Sequence, residues 1–476
     1  MSDEALFFTP ATELVSLVRS RKLSPVELVT AVLARAERLQ PQLNCFITLT
    51  AERALVEARR AEADVAAGRP LGALHGIPFT VKDLVNTVGV PTTFGTVVHR
   101  DNVPLEDAVS VARLRAAGAI LIGKTTTPEF GSGPMTNSPL FGSTRNPWDV
   151  SRTSGGSSGG AAAATAAGIG PLAVATDGGG STRIPAACNG VVGLKQSNGV
   201  IPHSQALDLF GNQTYVTPTT RTVADTALML QVMAGPSAVD PWSIGLRAHD
   251  YAKAARPQGD LRGKRVLYCV APPGRPVSKD VERSFESALQ TLAGLGATLE
   301  PFDGDGFDVE PIWRAINHTV WRARFAPLVE KYPETFSATF KRQIASAASL
   351  SGVEYQEAMF ARSTLFKRVQ ELFERADVLA TPTLSRSALP IDQDLFGAID
   401  IDGQRFDNVR AYWYPWTMLF NMTGHPAINL PSGFGSDSMP LGLQLVGRFH
   451  NDAQLLQVAS HFEAVSNFSL QRPPLG

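Results

Sequence analysis

The chain has 476 residues, enough for one large domain or two to three smaller ones. Its 43 Lys plus Arg against 44 Asp plus Glu give a formal charge of -1, which excludes an overall basic footprint for nucleic acid. Three cysteines, Cys45, Cys188 and Cys269, are odd in number, far apart and without CxxC spacing; this excludes a disulfide framework and fits a reducing compartment.

The N-terminal stretch is acidic before a short apolar run, the reverse of a secretory leader, so a cytoplasmic protein is expected. Ser24-Pro25-Val26-Glu27 starts a helix, with Ser24 as cap, Pro25 at the first helical position and Glu27 reaching back. A second helix is predicted over 51–67. Gly72 and Gly76 then bracket a turn into a short strand over 77–81, with Lys82 and Asp83 at its end. A helix over 107–117 and a buried strand over 119–122 precede Lys124 and Thr125.

Next comes the tract Thr153-Ser154-Gly155-Gly156-Ser157-Ser158-Gly159-Gly160. The small residues 161–167 predict a closely packed helix, and 171–176 a strand that delivers a second tract, Asp177-Gly178-Gly179-Gly180-Ser181. The apolar stretch 161–175 is shorter than a bilayer span, so no membrane association is expected. A helix over 222–233 follows. The loop-like stretch 236–263 is expected to divide the core from a peripheral part. Beyond it lie a strand (264–269), an amphipathic helix (278–294), a strand (297–301), helical residues 310–375, strands at 378–382, 427–431 and 441–446, and a closing helix over 452–465. This alternation predicts an α/β core with a mostly parallel or mixed sheet.

Glycines expose backbone N–H groups, and converging N–H groups form an anion-binding nest. Ser181 follows three glycines, so it is the nucleophile candidate, with the N–H groups of Gly178, Gly179, Gly180 and Ser181 as oxyanion donors. Lys82, at the end of an apolar strand, could be lowered in pKa by burial and act as base through Ser157 or Ser158. Each tract alone also reads as a flexible loop, Lys82 alone as a surface or salt-bridged lysine, and the first tract as a phosphate cradle. Ser181 lacks the G-x-S-x-G elbow, and no zinc-type, EF-hand or Walker A spacing occurs, so no metal is expected.

Gly76-Ile77-Pro78 through Lys82-Asp83, the two Ser/Gly tracts continuing into Thr182-Arg183-Ile184-Pro185, Asn146-Pro147-Trp148, Gly193-Leu194-Lys195, Gly424-His425-Pro426-Ala427 and Gly442 to Gly447 occur in order. In these blocks the sequence resembles the amidase signature family. The resemblance implies a single domain over 1–476, a central mixed β-sheet covered by helices on both sides, and a variable, substrate-shaping segment at 240–410. It implies a Ser–cisSer–Lys triad: Ser181 as acyl-enzyme nucleophile, Ser157 as relay on a cis peptide bond, Lys82 as base. It further implies no cofactor and, by analogy with dimeric relatives, a homodimer. Gly178 departs from the threonine common in the glutaminase subunits of tRNA amidotransferases, and the three glycines look more like free-standing amidases.

The expected reaction is hydrolysis of a small or medium neutral carboxylic amide. The alternatives are carbamate or ester cleavage, a non-catalytic binding scaffold, and the glutaminase subunit of a tRNA amidotransferase. Asp177 is expected to orient its loop, and Arg183 to pair with Asp177 or Asp83. Met135 and the aromatic residues Tyr412, Trp413 and Trp416 are expected to border the substrate pocket, although a core role explains that cluster equally well. Trp313, His318 and Trp321 are expected near its entrance.

Overall fold

A computed structural model describes residues 3–247 and 249–475. Apolar runs bounded by Gly, Pro and polar residues become eleven strands of one sheet: β1 (Phe46–Leu49), β2 (Pro78–Lys82), β3 (Ile120–Thr125), β4 (Leu172–Asp177), β5 (Val192–Lys195), β6 (Tyr215–Thr220), β7 (Arg265–Tyr268), β8 (Thr298–Pro301), β9 (Val378–Pro382), β10 (Ala427–Phe434) and β11 (Pro440–Gly447). Their spatial order is β1-β3-β2-β4-β6-β5-β10-β11-β9-β7-β8. β2 is parallel to β3 and β4, and β7 is parallel to β8 and β9; the other neighbours are antiparallel. The sheet is therefore mixed, and helices flank both faces.

Two sequence expectations change, the one for the stretch after 236 and the one for the Ser24–Glu27 box, while 310–375 is helical as expected. The stretch after 236 does not lead to a peripheral part: it contributes β7, β8 and β9 to the same sheet. Residues 310–375 form three helices, Glu310–Lys331, Ala338–Ala345 and Gly352–Arg375, each break falling at a polar Ser- or Gly-containing turn. Ser24 caps the helix Pro25–Leu43, its Oγ accepting from Val26 N (3.0 Å) and Glu27 N (3.2 Å). Its hydroxyl bonds Glu62 across to the next helix, in place of a reciprocal box with Glu27.

The helix Gly159–Ala166 shows why the chain spends small residues at its centre. All eight are buried. A Cβ on Gly160 would lie 2.5 Å from Thr126 N and 2.6 Å from the Cys45 carbonyl, so any larger residue would push the helix off the sheet. Its N-terminus is thereby fixed beside the ends of β2 and β4. The register Val81↔Val174 brings Lys82 and residues 175–177 to the same edge.

Candidate active site

Lys82 is the last residue of β2, and its side chain is fully buried. Its Nζ lies 2.7 Å from Ser157 Oγ, 2.8 Å from Ser158 Oγ and 2.9 Å from Thr176 Oγ1. The nearby carboxylates are committed elsewhere, Asp83 to Thr93 and Lys124, Asp177 to Arg183. Burial pushes the Lys82 ammonium well below the usual lysine range, with the Asp177 charge pulling the other way. A neutral amine offers two N–H donors and one lone pair, so one of the three surrounding hydroxyls must donate to it. Ser158 donates to the Thr176 carbonyl (3.1 Å), which leaves Ser157 or Thr176 for that role. The Gly156–Ser157 peptide bond is cis.

The second tract is held by Asp177. Its Oδ1 accepts from Gly180 N (2.7 Å), Arg183 Nη2 (3.0 Å) and Asn421 Nδ2 (2.9 Å); its Oδ2 accepts from Thr182 N (3.1 Å) and Arg183 Nε (3.0 Å). Both ions are fully buried. Burial alone would raise the Asp177 carboxyl; the Arg183 guanidinium, Asn421 and the Gly180 N–H outweigh it and hold the group below the usual carboxylate range. Arg183 completes its shell on Gln444 Oε1 (2.7 Å) and Asn421 Oδ1 (2.6 Å).

The carbonyls of the tract are each pinned from outside. Trp313 Nε1 donates to Gly178 O (2.8 Å), Thr417 Oγ1 to Gly179 O (2.7 Å) and Ile184 N to Gly180 O (2.7 Å). A trans peptide points its N–H opposite its carbonyl, so these bonds aim the N–H groups of Gly179 and Ser181 the other way. Gly180 is an exception among the four expected donors. Its N–H is taken by the Asp177 carboxylate and it does not line the cavity, so the nest has three open donors: Gly178, Gly179 and Ser181. Gly180 has φ +121°, and a Cβ there would lie 2.4 Å from Thr417 Oγ1.

Ser157, Thr176, Gly178, Gly179 and Ser181 all face one cavity of about 430 Å³, within the usual range for a small-molecule site. One wall is aromatic: Phe130 stacks on Phe325 (4.0 Å) and approaches Phe94 (6.2 Å), and Trp313 meets Trp321 edge-on. His318 sits behind that wall, stacked on Trp321, with Nδ1 2.7 Å from Ser346 Oγ.

The residues expected to border the pocket are placed differently. Met135 turns its side chain into the core at 2% exposure, while its neighbours Gly133 and Pro134 line the cavity. Trp413 and Trp416 are core residues whose indole N–H groups donate to the Arg386 and Val270 carbonyls. Tyr412 stacks on Phe406, with Arg275 over its ring. The run lies on and between two short helices, Val409–Trp413 and Thr417–Thr423, and their phase turns only Arg410 and Tyr414 to the cavity. Asn421 and Thr417, which organise the nest from the C-terminal part of the chain, had no local signal in the sequence; Gln444 falls in the block Gly442 to Gly447, which gave it no role of its own.

The Amidase family model matches residues 27–456. The chain belongs to the amidase signature family. It is similar to an acylamidase of Rhodococcus erythropolis (36% identity, covering 99% of this chain and 98% of the relative). It is also similar to a glutamyl-tRNA(Gln) amidotransferase subunit of Thermosynechococcus vestitus (34%, covering 96% and 98%). Among solved structures, a bacterial aryl acylamidase of the amidase signature family superposes with a TM-score of 0.89 at 28% identity, covering 98% of this chain and 99% of that one. The amidase signature chain is thus an enzyme, a hydrolase acting on amide bonds. Among the described residues no helix is long and apolar enough to cross a membrane.

Proposed function

We propose that this amidase hydrolyses a small or medium carboxylic amide through an acyl-enzyme on Ser181. The observation that carries the reading is the buried Lys82 amine, 2.7 Å from Ser157 Oγ and with no carboxylate within 4.0 Å among the described residues. Neutral Lys82 withdraws the Ser157 hydroxyl proton as Ser157 withdraws that of Ser181. Ser181 Oγ attacks the carbonyl carbon, and the N–H groups of Gly178, Gly179 and Ser181 receive the oxyanion. The same relay returns the proton to the leaving nitrogen. Water then repeats the sequence on the acyl-enzyme, releasing the acid and restoring Ser181.

The aromatic wall of Phe94, Phe130, Phe325 and Trp321 supports an aryl or apolar group on the substrate, in keeping with the aryl acylamidase likeness. The test is amine release from aryl anilides, aliphatic amides, dipeptide amides and aryl carbamates, beside the Ser181→Ala protein. Turnover that vanishes in the variant supports the reading; equal turnover in both contradicts it. The amidotransferase relatives favour a second reading, a glutaminase that serves a partner protein. Glutamine-dependent ammonia release, raised by such a partner, would select it.

A further inference from the structure

The hydrolytic mechanism leaves one charged wall of the cavity unused. Arg410 lines the cavity, is 9% exposed, and has no carboxylate within 4.0 Å among the described residues. Its Nη1 donates to Tyr414 Oη (3.1 Å) and its Nη2 to the Ser132 carbonyl (2.9 Å). With the Gln343 amide oriented to satisfy both neighbours, Gln343 donates to the same Ser132 carbonyl (2.7 Å) and accepts from Arg410 Nη2 (3.2 Å). These partners are all neutral. They fix the guanidinium but supply no counter-charge in contact with it, and Nε donates to no group among the described residues. The guanidinium carbon stands 5.5 Å over the Trp313 ring, whose indole N–H holds the Gly178 carbonyl. The charge is therefore one indole removed from the glycine nest.

The rest of the cavity does not balance it. Arg324, at the exposed rim, also lacks an ion-pair partner among the described residues. Asp208 is the one carboxylate among the described lining residues, and its Oδ1 already accepts from the backbone N–H groups of Phe210 (3.2 Å) and Gly211 (2.8 Å). A buried guanidinium with neutral partners retains most of its desolvation penalty, and an entering carboxylate relieves it through charge-assisted bonds.

We propose that Arg410 is a specificity residue that binds a carboxylate on the substrate, so that the preferred amides carry an acid group on the acyl part or the leaving amine. This rests on the amidase reading of the same cavity for its location, and it replaces the expectation of a neutral substrate. The acid must sit about one ring width from the scissile carbonyl.

Two matched pairs test it: succinanilic acid against butyranilide for the acyl side, and para-acetamidobenzoate against acetanilide for the amine side. In at least one pair the acid should have a kcat/KM roughly tenfold or more above its neutral partner, mainly through KM. Arg410→Gln should collapse that ratio towards one, and Arg410→Lys should restore part of it. A ratio unchanged in Arg410→Gln, or a preference for the neutral member of both pairs, would overturn the proposal. Calorimetric binding of the two acids to Ser181→Ala protein separates this from the hydrolytic reading. At least one should bind, and its affinity should fall roughly tenfold or more on adding Arg410→Gln, even if wild-type enzyme turns over none of the four compounds. No binding of either acid, or binding equal in the two proteins, would sink the role of Arg410 whatever the turnover results.

Discussion

Asp177→Asn isolates the part of the site that holds the nest in place. The substitution removes the counterion of a fully buried Arg183 and turns an amide N–H₂ towards groups that are themselves donors: Thr182 N and Arg183 Nε in one orientation of the amide, Gly180 N and Arg183 Nη2 in the other. Breaking a buried ion pair from one side costs about 3–5 kcal/mol. A chain of 476 residues unfolds with an entropy of roughly 1 kcal/mol/K, taken at about 2.1 cal/mol/K per residue. The melting temperature should therefore fall by about 3–5 °C. The assay is differential scanning calorimetry at pH 7 on the wild type, Asp177→Asn, Arg183→Gln and the double variant. The double variant should lose less than the sum of the singles, because it leaves no buried charge without a partner. The sign with pH follows from the lowered carboxyl: the pair's contribution is complete above the unfolded aspartate pKa of about 3.9 and is lost as the pH falls through the lower folded value. A single variant within 1 °C of wild type, or strict additivity in the double, would refute the reasoning.

Trp313→Phe keeps the ring against the nest but deletes the N–H that holds Gly178 O, so kcat should fall by about tenfold, less than the 10²–10³ of a lost oxyanion donor, with a smaller change in KM. Steady-state kinetics at saturating amide would show it; an unchanged kcat would mean the carbonyl needs no such tether. Burial lowers His318 and His425 to about 3 and His203 to about 4, so the native state refuses protons that the unfolded chain accepts below about 6.5. Stability should accordingly fall as the pH drops from about 6.5 towards 3, and His425→Gln should flatten that slope in thermal melts recorded across the window. A slope identical to wild type would show that His425 does not carry it.

Much of this site could be read because its chemistry sits at the ends of strongly patterned strands. The apolar run before Lys82 and the run before Asp177 each predict a strand end, and they form neighbouring parallel strands. β5 and β6 escaped because their sequences, VGLK and YVTPTT, are short and poor in alternation, and Pro218 argues against a central strand. Yet every residue of β6 is buried, and hydroxyl pairs such as Thr220–Thr226 and Thr182–Thr217 replace apolar packing. The capture of Gly180 N–H by Asp177 depends on turn geometry that three identical glycines do not reveal. The aromatic run 412–416 misled because the phase of two short helices decides which side chain meets the cavity; it chose Arg410 and Tyr414 over the tryptophans.

The account stands on Lys82 acting as a neutral base through Ser157. The measurement that addresses it most directly is the single-turnover rate of Ser181 acylation against pH, for wild type and Lys82→Ala, using an aryl amide that the enzyme turns over. Because burial lowers the Lys82 pKa, the wild-type rate should be at its plateau well below the usual lysine range and fall only at lower pH. Lys82→Ala should lose about 10²–10⁴-fold of that rate together with its acid limb. A Lys82→Ala enzyme that acylates near the wild-type rate at neutral pH would contradict the account.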